Sequence, residues 1–377
     1  AIVDSLTFGP QAPDVSLGRI VNGTGGWQAN TPTPGTANSA RTLGALGDLC
    51  INEWLADPAY GEDWFEVHNR GASVVALAGL YLSDTPSTPT LTQIPVLSFI
   101  APGGFTRFYA DGSTAGGNHC NFKLSKSGES LVLTGANGVT ALDTVTFSTQ
   151  ATDVSQGRLP DGGSNIVSFA AQTTSPGYPN WAPTPVVINE VLAHAAAPLE
   201  DAIEIANPGT SAVSIGGWWL SDDLAAPMKY QVPAGMTVPA GGFVVVYEAS
   251  LNAGAAPFSL SAFGDEVLLS ATDADGALTG YRSLARFGAS PENTSFGRVG
   301  ATGLNGSSGG AEFWPQTSHT FGQDNPASVS AFRTGTGSAN GLPQTGPVTI
   351  NEIMYHPLDD AEGEDNTRDE FVELQNL

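Results

Sequence analysis

Hydrophobic and polar residues alternate over short stretches of the chain, most regularly in INEWLADPAYGEDWFEVHN at residues 51–69. Because side chains two positions apart share one face of a strand, Phe65 and Val67 face one way while Glu66 and His68 face the other. A short acidic loop separates the two apolar-polar runs. The pattern predicts a half-buried β-hairpin.

The same pattern returns as INEVLAHAAAPLEDAIEIAN at residues 188–207 and begins again as INEIMYHPLDDAEGEDNTRDEFVELQN at residues 350–376. Other landmarks recur in fixed order: a Leu-Ser-Asp turn, a Gly-Gly strand start, an Asn-Gly or Asp-Gly hairpin turn, Ser-x-Gly-Arg, and a closing segment that ends in Asn. Recurrence in fixed order indicates a repeated domain. About seven to nine short strands in about 135 residues are typical of a β-sandwich.

These landmarks divide the chain into five parts. They are the closing part of a preceding repeat (1–40), a first complete sandwich (48–181), a second complete sandwich (185–326), a linker (328–346) and the opening strands of a further repeat (347–377). The linker is predicted from its Gly, Ser and Thr content and its lack of periodicity. The connection at residues 180–185 is short and stiffened by proline, so we expect the two complete units to hold a fairly fixed angle. Because both end parts are incomplete, we expect a longer protein.

The composition supports an all-β fold. The chain of 377 residues contains 46 Gly and 26 Pro, which suits many short strands joined by turns. No amphipathic helical pattern persists, and no apolar run approaches the roughly 20 residues of a membrane span. We therefore expect no membrane insertion within this segment.

The charge is strongly acidic, with 37 Asp and Glu against 13 Lys and Arg, a net charge of −24. Such a surface repels phosphate backbones, so we expect no nucleic-acid partner. It attracts cations and keeps a long multidomain molecule soluble.

The landmarks resemble those of the lamin tail domain family in its bacterial form. The matching residues are Ile188-Asn189-Glu190, Glu204 to Asn207, Trp219 to Asp222, Pro239 to Phe243, Gly264-Asp265, Arg158 and Ser175-Pro176-Gly177. The resemblance implies tandem lamin-type immunoglobulin-like β-sandwich domains. It also implies non-catalytic modules of large secreted or cell-surface bacterial proteins, and therefore an extracellular or cell-surface location.

The acidic loop of the first repeat is a candidate metal site. Glu53, Asp57, Asp63 and Glu66 lie close together in the sequence, and the loop at 359–369 of the third copy is also acidic. Calcium prefers six to eight oxygen ligands, which such a loop can supply. The alternative is that Glu53 and its partners bond backbone groups at a sandwich corner while the loop acids are solvated. The acidic composition favours this alternative, because it makes chance clusters common.

The two cysteines, Cys50 and Cys120, fall within one repeat. Their counterparts in the next repeat, Val187 and Ala256, are both small and apolar, which favours a disulfide across the sandwich over two buried thiols. A loop of about 70 residues closed in this way contributes roughly 4 kcal/mol in the chain-entropy model. The bond would indicate an oxidising compartment.

Trp218 and Trp219 are candidate carbohydrate-binding residues, since flat rings stack on sugar faces. The alternative is that they pack in the core and between domains. Strand alternation places one of them inside and the other outside.

Catalytic motifs are absent: the sequence contains no HExxH or P-loop pattern and no GxSxG elbow, since its one GxSxG match, GSSGG at residues 306–310, lies in a run of Gly and Ser, and its five histidines are scattered. We therefore predict a non-enzymatic array that forms a stalk, fibre or sheath, with calcium as a candidate stiffening ion. Its expected partners are copies of itself or neighbouring surface proteins. The alternative function is a carbohydrate- or protein-binding adhesion module of a multidomain extracellular enzyme, with polysaccharide as the partner.

Overall fold

The computed structural model describes residues 2–171, 173–253, 256–298, 313–323, 325–344, 346, 348–355, 357–359 and 366–376. Strands dominate it. The described residues include two α-helices of four residues each, α1 (Glu248–Leu251) and α2 (Val329–Phe332), and a 3-10 turn at Leu46–Asp48. Within the described ranges, no helix has the length and hydropathy of a membrane-spanning segment.

The N-terminal part is a three-stranded antiparallel sheet that packs on the first complete unit. Its strands are β1 (Ser16–Ile20), β2 (Gly26–Thr31) and β3 (Ser39–Ala40). Ala12 and Ala29 from this part form a buried apolar cluster with Val74 and Phe99 of the first unit. The N-terminal part therefore shares a small core with the unit that follows it.

The first complete unit is a sandwich of two antiparallel sheets. Its strands are β4 (Leu49–Leu55), β5 (Trp64–Asn69), β6 (Val75–Ala76), β7 (Tyr81–Ser83), β8 (Thr92–Gln93), β9 (Phe99–Ile100), β10 (Phe105–Tyr109), β11 (Gly128–Thr134), β12 (Ala141–Ser148), β13 (Ser155–Arg158) and β14 (Ile166–Phe169). One sheet has the order β10-β5-β4-β13-β14 and the other β12-β11-β7-β8, while β6 and β9 form a separate pair. Trp54, Phe65 and Phe108 from the first sheet pack against Leu82 and Leu133 from the second.

The second complete unit repeats this topology. Its strands are β15 (Ala182–Pro183), β16 (Val187–Leu192), β17 (Ala202–Ala206), β18 (Val213–Ser214), β19 (Trp219–Ser221), β20 (Tyr230–Gln231), β21 (Thr237–Val238), β22 (Phe243–Tyr247), β23 (Gly264–Thr272), β24 (Leu278–Gly288), β25 (Phe296–Arg298) and β26 (Phe313–Pro315). Its sheets have the orders β22-β17-β16-β25-β26 and β15-β24-β23-β19-β20. The matching strand orders confirm the prediction of tandem β-sandwiches.

A last hairpin, β27 (Val348–Met354) and β28 (Phe371–Asn376), follows the second unit. All three opening hairpins skip one residue in their register, at Asn52, Asn189 and Asn351. An extra residue in one strand of an antiparallel pair is a β-bulge, which re-aims the side chains that follow it. In the two complete units, the bulge explains why Glu53 and Glu190 face away from the core although Ile51 and Ile188, two positions earlier, face it.

The prediction that the first hairpin is half-buried is wrong, because every residue of β4 and β5 is buried. Phe65 and Val67 do face the core, as the alternation predicts. Glu66, on the opposite face, is covered by the segment after β14, whose Gly177 N donates a hydrogen bond to it. A side chain can therefore be buried on the face that a two-layer sandwich would leave open.

The predicted linker at residues 328–346 is also wrong for its described residues 328–344, and the second unit does not end at residue 326. Phe332 is fully buried in a cluster with Leu192, Tyr247 and Phe321. The Tyr247 hydroxyl donates to the Gly335 carbonyl at 2.8 Å. The glycines of this segment allow close backbone packing, because a Cβ on Gly335 would overlap the Phe321 carbonyl.

Candidate functional site

Each complete unit contains two buried carboxylates that face each other across its opening hairpin. Glu53 pairs with Glu66 in the first unit, and Glu190 pairs with Glu204 in the second. All four side chains have zero exposure. Like charges directly opposite each other in a sheet are destabilising, so these pairs require compensating hydrogen-bond donors.

In the first unit, the donors come from β4, from β13 and from the closing segment at residues 175–180. Ser155 Oγ donates to Glu53 Oε1 at 2.5 Å, and both the N–H and the Oγ of Ser175 donate to Glu53 Oε2 at 3.2 Å. Gly177 N donates to Glu66 Oε2 at 2.8 Å, and Asn52 Nδ2 donates to Glu66 Oε1 at 3.0 Å. The closing segment therefore lies across both carboxylates and excludes water from them.

The second unit uses equivalent donors. Ser295 Oγ and Thr320 Oγ1 donate to Glu190, as Ser155 and Ser175 donate to Glu53. Ser338 N donates to Glu204 Oε2 at 3.1 Å, and Asn189 Nδ2 donates to Glu204 Oε1 at 2.6 Å. In this unit, however, α2 and its flanking loops lie between the two halves of the closing segment.

An asparagine ends the closing segment in both units. Asn180 Nδ2 donates to the carbonyls of Arg158 and Asn52 at 2.9 and 3.3 Å. Asn340 Nδ2 donates to the carbonyls of Arg298 and Asn189 at 3.0 and 3.2 Å.

In the sequence, the closing segment of the second unit reads FWPQTSHTFGQDN at residues 313–325 and so predicts this role for Asn325. That prediction is wrong, because Asn340 makes the bonds. The inserted helix separates Thr320 from Gly337–Asn340, so the equivalent residue lies further along the chain than the motif spacing predicts. The sequence signal for Asn340 was the short run TGSAN, which composition alone placed in a linker.

The recurring Ser-x-Gly-Arg segment has a role for each of its three defined positions. Ser155 binds Glu53, as described. A Cβ on Gly157 would lie 2.5 Å from the Asn52 carbonyl oxygen and 2.8 Å from Asn180 Nδ2, so only glycine fits. Arg158 Nε donates to the Ile51 carbonyl at 2.8 Å. The motif therefore joins β13 to the bulged region of β4.

Burial dominates the electrostatics of these carboxylates. It raises the pKa of Glu53 to about 7 and that of Glu204 to about 8, and it raises the pKa values of Glu66 and Glu190 as well. Their hydrogen bonds act in the opposite direction but are outweighed. These carboxyls are closed to solvent and accept hydrogen bonds from the closing segment. They therefore hold that segment on the sheet. They form a structural latch in each unit.

The structure does not gather the four predicted metal ligands, Glu53, Asp57, Asp63 and Glu66, into one metal-suited group, and calcium binding by them stays a prediction. Asp57 Oδ2 accepts from Thr152 Oγ1 at 2.7 Å, and Asp63 Oδ2 accepts from Leu124 N at 3.0 Å. No group of three or more His, Cys, Asp or Glu side chains suited to a metal occurs among the described residues. Residues 360–365 of the third acidic loop lie outside them, so calcium binding there stays a prediction.

The predicted disulfide is absent, and Cys50 and Cys120 are both buried free thiols. Cys120 lies in the core between the sheets together with Leu49 and Ile51. Cys50 lies between those two residues in β4, so its side chain is on the opposite face of the strand. The two thiols therefore lie on different sides of one sheet, and burial raises the pKa values of both, that of Cys50 to about 11.

Trp218 and Trp219 are both half-buried, so neither ring is simply inside or outside. Trp218 packs against the core of the second unit. Trp219 opens β19 and is outside that cluster, and its indole nitrogen is buried with no hydrogen-bond partner among the described residues. Carbohydrate binding by these rings stays a prediction.

Fold and latch together define a tandem array of two-sheet β-sandwiches, each closed by a segment over paired carboxylates. The lamin tail domain family model matches residues 44–149 and again 179–283. The chain therefore belongs to the lamin tail domain family, whose members are immunoglobulin-like modules. No curated protein and no solved structure matches the chain.

The family matches stop before the closing strands β13 and β25. The latch residues that follow, Ser175, Thr320 and Asn340, therefore lie outside the matched ranges. Three-dimensional contacts identify them as parts of the same repeating unit.

Proposed function

We propose that the chain is a non-catalytic structural array of a large secreted or cell-surface bacterial protein, where it serves as a component of a stalk, fibre or sheath. Family membership supports the modular part of this proposal. The net charge of −24 supports it too, because like-charged surfaces keep extended arrays soluble. Copies of the same chain or neighbouring surface proteins are the proposed partners.

The observation that carries the proposal is the joint between the two complete units. Residues Ala182–Pro183 of the connection pair in parallel with Tyr281 and Arg282 of β24, so the connection forms an edge strand of the second unit. The guanidinium of Arg282 lies 5.1 Å from the centre of the Trp181 ring. A connection held by backbone pairing and a cation–π contact restricts hinge motion.

Close packing reinforces this joint. Leu159 of the first unit is 2% exposed, and it packs so close to Gly280 of the second unit that a Cβ there would overlap its methyl group. Gly280 also has a φ of +81°, which other residues rarely adopt. Coupled neighbours distribute stability along a repeat array, as a spacer requires.

Distance measurements between spin labels test the proposal. Labels at Val139→Cys and Phe263→Cys, on exposed positions of the two units, are expected to give one narrow distance distribution. A pair within the first unit, Tyr60→Cys and Val139→Cys, supplies the width for a rigid body. The native cysteines are buried and do not compete for the label.

Gly280→Ala, which strains the joint, is expected to broaden the distribution between the units and leave the within-unit pair unchanged. A wild-type distribution between the units as broad as that of Gly280→Ala contradicts a rigid spacer.

A further inference from the structure

The last hairpin, β27–β28, carries the carboxylate half of a latch. Glu352 lies opposite Glu373 across the strand pair, as the two glutamates of each complete unit do. Asn351 Nδ2 donates to Glu373 Oε1, as Asn52 Nδ2 donates to Glu66 Oε1. Both carboxylates of the last hairpin are exposed, whereas those of the complete units are buried. The hairpin therefore presents its hydrogen-bond acceptors to solvent.

The N-terminal part carries the donor half of a latch. Its β1 begins the Ser-x-Gly-Arg motif at Ser16, its closing turn is Thr33-Pro34-Gly35, and Asn38 ends the segment. Thr33 N and Gly35 N correspond to the two main-chain groups that donate to the carboxylates of the first unit. Neither group has an acceptor among the described residues, and both residues are at least partly exposed. A partner can therefore reach these donors.

The donor half already has the shape that a latch requires. Asn38 Nδ2 donates to the Arg19 carbonyl at 3.1 Å, and Thr33 Oγ1 donates to Asn38 Oδ1 at 3.3 Å. The first unit contains the same two bonds, from Asn180 Nδ2 to the Arg158 carbonyl and from Ser175 Oγ to Asn180 Oδ1. Groups that are held in place before binding lose little conformational freedom when a partner arrives.

The β1 edge of this donor half is unpaired. Asn30 bonds Ser16 Oγ and Thr33 Oγ1, but it lies on β2 opposite Ser16, as Phe169 lies on β14 opposite Ser155. Asn30 therefore takes the position of Phe169 and not that of an opening strand.

Each half presents a free strand edge to the other. β1 is the edge of its sheet, whereas its counterpart β13 lies between β14 and the opening strand β4. In the described chain β27 pairs with β28 alone, whereas β4 pairs with both β5 and β13. Free edges are templates for pairing with another chain. The β13–β4 register of the first unit predicts that Gly18 lies opposite Glu352 and Leu17 opposite Ile353.

This register also gives the apolar side of the last hairpin a surface to cover it. Four of its side chains are between 58% and 63% exposed: Ile350, Ile353, Val372 and Leu374. Leu17 pairs with Ala29, and both pack on Val74 and Phe99 of the first unit. Directly paired residues share one face of a sheet, so Ile353 opposite Leu17 points to the side on which that first unit lies.

We propose that the N-terminal part of one copy docks on the last hairpin of another copy and closes a latch between the two chains. In this contact Ser16 and Thr33 donate to Glu352, and Gly35 N donates to Glu373. The inference rests on the proposed array role and supplies the contact through which copies join. Because the two halves are different surfaces of one chain, the contact is heterologous and can add further copies head to tail.

Mixing two single-substitution chains tests this contact directly. Leu17→Cys and Ile353→Cys are expected to form a mixed disulfide under mild oxidation, because paired strand residues have Cβ atoms close enough to bridge. Leu358→Cys, exposed and outside the strands of the hairpin, replaces Ile353→Cys in the matched control and is expected to give little mixed disulfide with Leu17→Cys. The native cysteines are buried and do not compete.

Sedimentation of the full chain measures the affinity, at about 0.15 M salt so that repulsion between copies of net charge −24 is screened. The wild type is expected to associate reversibly with a Kd below about 100 μM. Glu352→Lys, which places a cation against the donors, is expected to weaken association at least about tenfold. Glu370→Lys makes the same change of charge on an exposed residue outside β28 and is expected to associate like the wild type.

The Tm separates loss of the contact from loss of the fold. Because Glu352 is exposed, Glu352→Lys is expected to leave the Tm of the complete units unchanged. A wild-type chain that stays monomeric overturns the proposal, as does undiminished association of Glu352→Lys or equal cross-linking in both mixtures. Narrow spin-label distances between the two complete units, found together with a monomeric chain, would overturn this contact and leave the rigid spacer standing.

Discussion

Glu53 provides a direct test of the latch, because its burial makes stability depend on pH in an uncommon direction. Its carboxyl is fully buried, and burial raises its pKa from an ordinary 4.5 to about 7. Between these values, the folded protein holds a proton on Glu53 that the unfolded chain has released. The folded state therefore binds more protons, so the free energy of unfolding falls as pH rises through this window.

The magnitude follows from the difference between the two pKa values. Raising a pKa from 4.5 to about 7 corresponds to about 3 kcal/mol of stability, present below pH 4.5 and lost once the pH exceeds about 7. Glu66 adds to this dependence in the same direction, since burial and the neighbouring Glu53 both raise its pKa. The first unit is therefore expected to be more stable at pH 5 than at pH 8.

Hydrogen exchange at graded urea concentrations, corrected for the intrinsic pH dependence of exchange, measures this effect within one unit. Glu53→Gln removes the titrating group, so the difference in the free energy of unfolding between pH 5 and pH 8, measured for peptides of residues 49–69, is expected to shrink by about 2.5 kcal/mol. Peptides of residues 187–206, which retain Glu190 and Glu204, are the internal control and keep their pH dependence. A wild-type first unit that is equally or more stable at pH 8 refutes the argument, as does an unchanged dependence in Glu53→Gln.

Three further changes test the packing. Phe332→Ala is expected to destabilise the second unit by about 3–5 kcal/mol in urea unfolding, because the ring is fully buried. An unchanged free energy of unfolding would show that residues 328–344 are a linker and not part of this unit. Gly157→Ala is expected to destabilise the first unit by about 1–3 kcal/mol, since its Cβ would meet the Asn52 carbonyl, whereas Gly47→Ala has open space and is the neutral control. Ellman's reagent is expected to react with no thiol in the folded protein and with both Cys50 and Cys120 after unfolding in urea. Absence of free thiols in the unfolded protein would support the disulfide instead.

The sequence by itself determined the repeating unit. Alternation places Phe65 and Val67 toward the core, and the fixed order of landmarks defines two complete sandwiches with equal topology. These features are local: they depend on side chains two apart in a strand and on turn residues adjacent to it. The Ser-x-Gly-Arg motif was also visible in the sequence, although its three roles were not.

Only the tertiary structure decided which residues complete each unit and what the acidic residues do. Glu53 receives its donors from Ser155 and Ser175, which lie more than one hundred positions away in the chain. Asn340 replaces Asn325 because an inserted helix lengthens the path between Thr320 and the end of the latch.

The same limit applies to the cysteines, the tryptophans and the glycine-rich segment after residue 328. A local pattern fixes the direction of a side chain within its own strand, but the groups that cover that side chain come from elsewhere in the chain. Burial on the outer face of a sheet therefore depends on long-range packing, and so do the raised pKa values of the latch carboxylates.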